Sequence, residues 1–154
     1  MNLSHIISAH AKRTPNALTI SDSHRSLTYD ALETGAGELA KWMRQNGVAP
    51  GDRGVIVSEN STGFGLLILA IAKAGGIITP LNTRADAHTL RQLVRRTDPA
   101  LIFATEEFAP LFTGQIDPAK IIKLDPTATP SRTGSKTRRP LLCWARCRIR
   151  PPAF

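Results

Sequence analysis

The residues of this sequence that could surround a phosphate group are glycines, hydroxyl side chains and a lysine near the carboxyl terminus. Gly134, Ser135, Lys136 and Thr137 have the residue types that end a P-loop. That motif also needs a glycine at position 129 and a preceding strand. The chain has Thr129 there, between Ala128 and Pro130. We therefore predict that this segment is not a P-loop.

Two other candidates have simple structural interpretations. Gly75 and Gly76 follow an apolar run, and no Gly-x-Gly-x-x-Gly pattern precedes a helix there, so they fit a helix C-terminus better than a phosphate cradle. Tyr29 stands at the start of an expected helix. It is predicted to be a packing residue rather than a ligand contact.

One group of polar residues follows an expected strand. Pro80, Asn82 and Arg84 come directly after an apolar β segment, and open α/β sheets bind their ligands at the carboxyl ends of strands. These three residues could therefore line a cleft. The surrounding sequence assigns no chemistry to them, so no residue is predicted to be catalytic or cofactor-binding.

Metal chemistry is not predicted either. Cys143 and Cys147 stand four positions apart and could share a helix face, but a zinc site needs four ligands and no histidine is near them. The four histidines of the chain are dispersed and lack partners at helical spacing.

Apolar runs punctuated by glycine and proline predict alternating strands and helices. Strands are expected near residues 17–21, 25–28, 55–57, 77–79, 101–104 and 121–124, and helices near 3–14, 29–46, 62–74, 90–94 and 108–112. The first two strands are predicted to form a hairpin. The later alternation is typical of βαβ crossovers. The fold class is therefore predicted to be α/β, a partial doubly wound, mostly parallel sheet with helices on both faces.

Helical spacing also predicts which faces are buried. Leu3, Ile6, Ile7 and His10 share one face of the first helix, and Glu33 falls outside the apolar stripe of the second. Arg91, Arg95 and Arg96 are expected on a solvated face of a later helix.

The charge of the chain is concentrated in its last residues. The formal net charge is +8 over 154 residues, yet residues 1–130 contain 13 Lys and Arg against 12 Asp and Glu, whereas residues 131–154 contain seven against none. That last segment also holds both cysteines and has no apolar periodicity. We expect an α/β subdomain over residues 1–125 and an unstructured Pro- and Arg-rich tail over 126–154.

Four segments in register resemble one enzyme family. They are Ser26 to Leu32, Gly51-Asp52-Arg53 before an apolar strand, Asn60-Ser61 before an apolar helix, and Ala72 to Arg84. In order and spacing they closely resemble the amino-terminal region of the adenylate-forming acyl-CoA synthetases, over about residues 3 to 124. The resemblance implies ATP, Mg²⁺, CoA and a small-molecule carboxylate as reactants of the full-length enzyme, which makes an acyl-adenylate and then a CoA thioester.

The resemblance stops where the family binds phosphate. The family has a Thr-Ser-Gly-Thr-Thr-Gly-x-Pro-Lys-Gly loop soon after this region, and the chain has Ser131 to Thr137 with similar residue types but not the pattern. The nucleotide motifs and the carboxy-terminal domain of the family are also absent from the 154 residues. We therefore expect an inactive fragment that binds no cofactor by itself. Its tail composition is typical of an out-of-frame reading of a GC-rich gene.

The alternative interpretation is a small non-enzymatic binding protein whose basic tail contacts acidic partners. Neither interpretation includes a sequence-specific nucleic-acid site, because the tail offers only Trp144 and Phe154 for stacking. The longest apolar stretch, about nine residues from Phe64, is short of the roughly 20 that a membrane helix needs. With no signal peptide recognised, a cytoplasmic location is expected, together with self-association through exposed apolar surface.

Overall fold

A computed structural model describes residues 3–124 of the chain, so the expectations for the tail lie outside the described residues. Four α-helices lie within residues 3–124: α1 (Leu3–Arg13), α2 (Tyr29–Gln45), α3 (Thr62–Ala74) and α4 (Ala87–Thr97). The same range contains six strands: β1 (Leu18–Ser21), β2 (Ser26–Thr28), β3 (Arg53–Val57), β4 (Ile77–Pro80), β5 (Leu101–Thr105) and β6 (Ile121–Leu124). Two short 3₁₀-helices, Ala109–Phe112 and Pro118–Lys120, lie between β5 and β6.

The strands form two separate sheets. Strands β1 and β2 are an antiparallel hairpin, and the other four form a parallel sheet in the order β4-β3-β5-β6. Strand β3 is central, as its run of apolar residues predicts, and Val55, Ile56 and Val57 are fully buried. The predicted fold class is confirmed.

Local sequence signals fix the ends of the helices. Thr28 and Ser61 cap α2 and α3, because each hydroxyl accepts a hydrogen bond from an orphan backbone N–H of the first turn, that of Ala31 or Phe64. Helix α3 ends at Gly75, which has a φ of 87°. This left-handed conformation costs least for glycine, so the predicted helix C-terminus is confirmed.

Helices cover both faces of the parallel sheet. On one face α2 and α3 pack over Ile56, Leu101 and Phe103, and α3 is buried on several sides, as its nearly unbroken apolar sequence requires. On the other face the buried residues are Val55, Val57, Leu90, Val94, Ile102, Ala104, Ala109 and Phe112. The two crossover helices, α3 between β3 and β4 and α4 between β4 and β5, therefore lie on opposite faces of the sheet.

The buried face of α1 differs from the prediction. Ile7 packs on the core, but Leu3 and Ile6 are 47% and 44% exposed, and Ser4 is buried in their place. The periodicity marked a helix but not its orientation. The face of α1 that is turned inward carries Ser8, which contacts Glu33 of α2 and Lys73 of α3.

Candidate functional site

The strand order creates a crevice at the carboxyl ends of β3 and β5. The chain leaves β3 into α3 on one face of the sheet and reaches β5 from α4 on the opposite face. Such a topological switch point is where open α/β sheets bind ligands, because the two loops diverge and leave space between them.

An open cleft of about 480 Å³ occupies this position. We call it the switch-point cleft. It is lined by residues 58–61 after β3, 105–108 after β5, 22–24 of the hairpin turn, and Gly63, Phe64 and Leu124. The hairpin turn therefore forms one wall of the site, which its distance along the chain from β3 did not suggest.

Asp22 attaches the hairpin turn to α3. One carboxylate oxygen accepts hydrogen bonds from the backbone N–H groups of His24 and Arg25 at 2.8 and 2.9 Å, and the other accepts from Thr62 N–H at 2.8 Å. Burial by itself raises the pKa of Asp22, but hydrogen bonds from Thr62, His24 and Arg25 outweigh it and hold that pKa well below its usual range.

Three backbone N–H groups at the start of α3 already donate hydrogen bonds within the protein. Asp22 accepts from Thr62 N–H, Ser61 Oγ accepts from Phe64 N–H at 3.1 Å, and the Ser61 carbonyl accepts from Gly65 N–H at 3.2 Å. A phosphate at a helix N-terminus needs such donors to be free. These amides are therefore not available for a phosphate.

The rim of the cleft carries negative charge. Glu59, Glu106 and Glu107 are exposed, and among the described residues no lysine or arginine lines the cleft. Lys123 approaches from beside it, with its Nζ 3.8 Å from Glu106 Oε1. An acidic rim repels phosphate, so the described part of the cleft does not fit the triphosphate of ATP.

The residues singled out from the sequence lie elsewhere. Asn82 accepts a hydrogen bond from Arg84 N–H at 3.0 Å in a turn after the edge strand β4, and neither residue lines the switch-point cleft. Tyr29 stacks on His10, with ring centroids 5.0 Å apart, as expected of a packing residue. Gly134 to Thr137 and the two cysteines lie outside the described residues.

A polar cluster between three helices was not predicted. Glu33 Oε1 accepts hydrogen bonds from Lys73 Nζ at 2.6 Å and from Ser8 Oγ at 2.8 Å. The Ser8 hydroxyl also lies 2.9 Å from the Ser4 carbonyl. Although Glu33 lies outside the predicted apolar stripe of α2, its side chain is only 26% exposed and pairs with a lysine forty residues away.

Two kinds of site are absent from the described range. Residues 3–124 contain no group of three or more His, Cys, Asp or Glu side chains that could hold a metal ion. In the same range no helix combines the length and the apolar character that a bilayer span requires.

Sequence comparisons identify related proteins. A family model described as AMP-binding enzyme matches residues 7–141. A fatty acid–[acyl-carrier-protein] ligase from Streptomyces coeruleorubidus is 28% identical over 104 residues, which cover 68% of this chain and 20% of that protein. Enterobactin synthase component F from Escherichia coli strain K12 is 28% identical over 111 residues, covering 72% of this chain and 9% of that one. The chain therefore spans a fifth or less of these relatives.

Solved structures share the fold. An anthranilate CoA ligase in complex with anthranoyl-AMP superposes with a TM-score of 0.75 at 18% identity, over 80% of this chain and 25% of that one. A Mycobacterium tuberculosis fatty acyl CoA synthetase gives 0.69 at 22% identity, over 79% and 26%. The parallel sheet and its helices therefore reproduce part of a larger domain architecture.

Proposed function

The chain belongs to the AMP-binding enzyme family of adenylate-forming ligases, and from that membership we propose that it carries the first α/β unit of an acyl-CoA synthetase. The complete enzyme would convert a carboxylic acid to its CoA thioester with ATP. The observation that carries this proposal is the family match over residues 7–141. CoA as acceptor is supported by the four motifs in register, and a carrier-protein thiol is the competing acceptor.

The described residues support a scaffolding role within that enzyme. Three amides at the start of α3, those of Thr62, Phe64 and Gly65, already donate hydrogen bonds, and the rim formed by Glu59, Glu106 and Glu107 is acidic. Phosphate transfer needs positive charge and free donors around the phosphates. We infer that the 154 residues by themselves do not form an acyl-adenylate, and that residues 3–124 do not contain the phosphate-binding loop.

The test is carboxylate-dependent exchange of labelled pyrophosphate into ATP. The purified 154-residue chain is expected to show no exchange with fatty, aromatic or amino acids, whereas a full-length relative assayed in parallel shows exchange. Mg²⁺-dependent exchange by the chain would overturn the inferred inactivity. Joining residues 1–124 to the remainder of a relative should restore exchange, and adding CoA or a carrier protein then identifies the acceptor.

The origin of residues 126–154 distinguishes the proposed enzyme fragment from the alternative, a small binding protein. If residues 126–154 arise from a frameshift, another frame of the gene from about codon 126 should encode the Thr-Ser-Gly-Thr-Thr-Gly-x-Pro-Lys-type loop. Absence of the loop from both other frames would instead favour a native basic segment that binds acidic partners, supported by its seven positive charges. A cytoplasmic location, where ATP and CoA are available, belongs to the same proposal.

A further inference from the structure

The switch-point cleft combines an apolar interior with a negative rim. Phe64 and Phe108 are half-buried in its lining, while Glu59, Glu106 and Glu107 are exposed at its edge. Aromatic faces and carboxylates both attract guanidinium groups, through cation–π contact and through bidentate hydrogen bonds. The lining therefore favours an arginine-rich occupant.

The described chain ends at this cleft. Leu124, the last residue of β6, is itself part of the lining. Residues 131–154 contain seven lysines and arginines and no acidic residue, so the most basic segment of the chain begins seven residues after Leu124. Over the rest of the chain the two signs of charge nearly balance.

We propose that the switch-point cleft binds the basic segment, residues 131–154, of the same chain. Arginine side chains of the segment pair with the rim carboxylates and stack on Phe64 or Phe108. The segment then occupies the position at which an open α/β sheet binds its ligand.

Chain length permits this contact. Arg132 is eight residues beyond Leu124, and eight residues can span at most roughly 26 to 29 Å. A short connection gives an effective concentration in the millimolar range, so a weak interaction between the groups is enough to populate the contact.

Paramagnetic relaxation tests the proposal in the full-length protein, because Cys143 and Cys147 are its only cysteines. A nitroxide is attached to Cys143 in a Cys147→Ser variant, and amide relaxation is measured at about 50 mM salt. Selective broadening is expected at Asn60, Ser61 and Glu107, with little at α1. Raising the salt to about 500 mM should weaken it, because ions screen the contact.

Charge removal supplies the matched control. Glu107→Gln should reduce the broadening at Asn60 and Ser61, whereas Glu38→Gln, which removes the same charge from α2, should leave it unchanged. Uniform broadening, or broadening insensitive to Glu107→Gln and salt, would overturn the proposal. A further sample mixes nitroxide-labelled chains that carry no isotope with isotope-labelled chains that carry no nitroxide. Broadening in this mixture would assign the contact to a second copy of the chain and would also overturn the proposal.

A second measurement does not depend on assigned spectra. Lys136 is the only lysine of residues 131–154, and carbodiimide joins a lysine to a carboxylate only in direct contact. Mass spectrometry should find Lys136 linked to Glu59, Glu106 or Glu107. Links only to carboxylates remote from the cleft, or none at low salt, would contradict the contact.

Discussion

At the residue scale, Asp22 connects two parts of the fold that are distant in sequence. Its carboxylate accepts from three backbone N–H groups, in its own turn and at the start of α3. Asp22→Ala leaves these donors without partners and should lower the free energy of unfolding by about 1–2 kcal/mol, the usual cost of losing a helix cap. Urea unfolding followed by circular dichroism measures it. Ser23→Ala in the same turn is the control and should change little.

The same carboxylate predicts a dependence on pH. The pKa of Asp22 is lower in the folded state than in the unfolded chain. Its contribution to stability is therefore complete above the unfolded pKa of about 4 and is lost as the pH falls further toward the folded value. The stability difference between wild type and Asp22→Ala should be constant from pH 8 to about 5 and shrink below about 4. A difference unchanged at pH 3 would contradict this assignment.

The Lys73–Glu33 pair allows a second residue-scale prediction. Both side chains are largely buried, at 17% and 26% exposure, and Glu33 Oε2 has no hydrogen-bond partner. Lys73→Met would leave the Glu33 carboxylate uncompensated and should cost about 1–3 kcal/mol, less than for a fully buried pair. The double variant Glu33→Leu/Lys73→Met should be more stable than Lys73→Met alone. Additive losses in a double-mutant cycle would show that the pair is not coupled.

At the scale of elements, two glycines of neighbouring helices should respond in opposite directions. Gly75 ends α3 with a φ of 87°, and an added Cβ would lie 3.4 Å from Pro50, whereas a Cβ at Gly37 inside α2 meets nothing within 4 Å. Gly75→Ala should therefore destabilise the protein by about 1–2 kcal/mol. Gly37→Ala should stabilise it by roughly 0.5–1 kcal/mol. Thermal unfolding of both variants measures this, and a shift in the same direction for both would contradict the conformational explanation.

The elements were predictable where the signal is local. Strand β6 was predicted at its observed bounds, and Gly75 at the C-terminus of α3, because apolar runs and helix-ending glycines act within a few positions. Contacts between residues that are distant in sequence were not predictable. Glu33 faces inward because Lys73 and Ser8 are there to meet it. The cleft depends on β3 lying beside β5, which strand order decides and local sequence does not.

At the scale of the whole molecule, the sheet and helices leave apolar side chains at the surface. Leu3 and Ile6 are adjacent on α1, and Leu18 and Ile77 are 61% and 52% exposed. In the larger relatives this unit is part of a longer chain, and the described residues cover only one part of that architecture. Exposed apolar surface of this kind promotes association.

The isolated chain is therefore expected to self-associate. The apolar patch formed by Leu3 and Ile6 on α1 is expected to contribute to this association. Sedimentation velocity at increasing protein concentration should show a rising average mass. Leu3→Lys/Ile6→Lys should reduce that rise, because the paired lysines remove the apolar patch and add repulsion. Thr113→Lys/Gln115→Lys adds the same charge at two exposed positions away from α1 and controls for net charge. Equal reduction by both double variants would assign the effect to charge alone, and a concentration-independent monomer would contradict the expectation altogether.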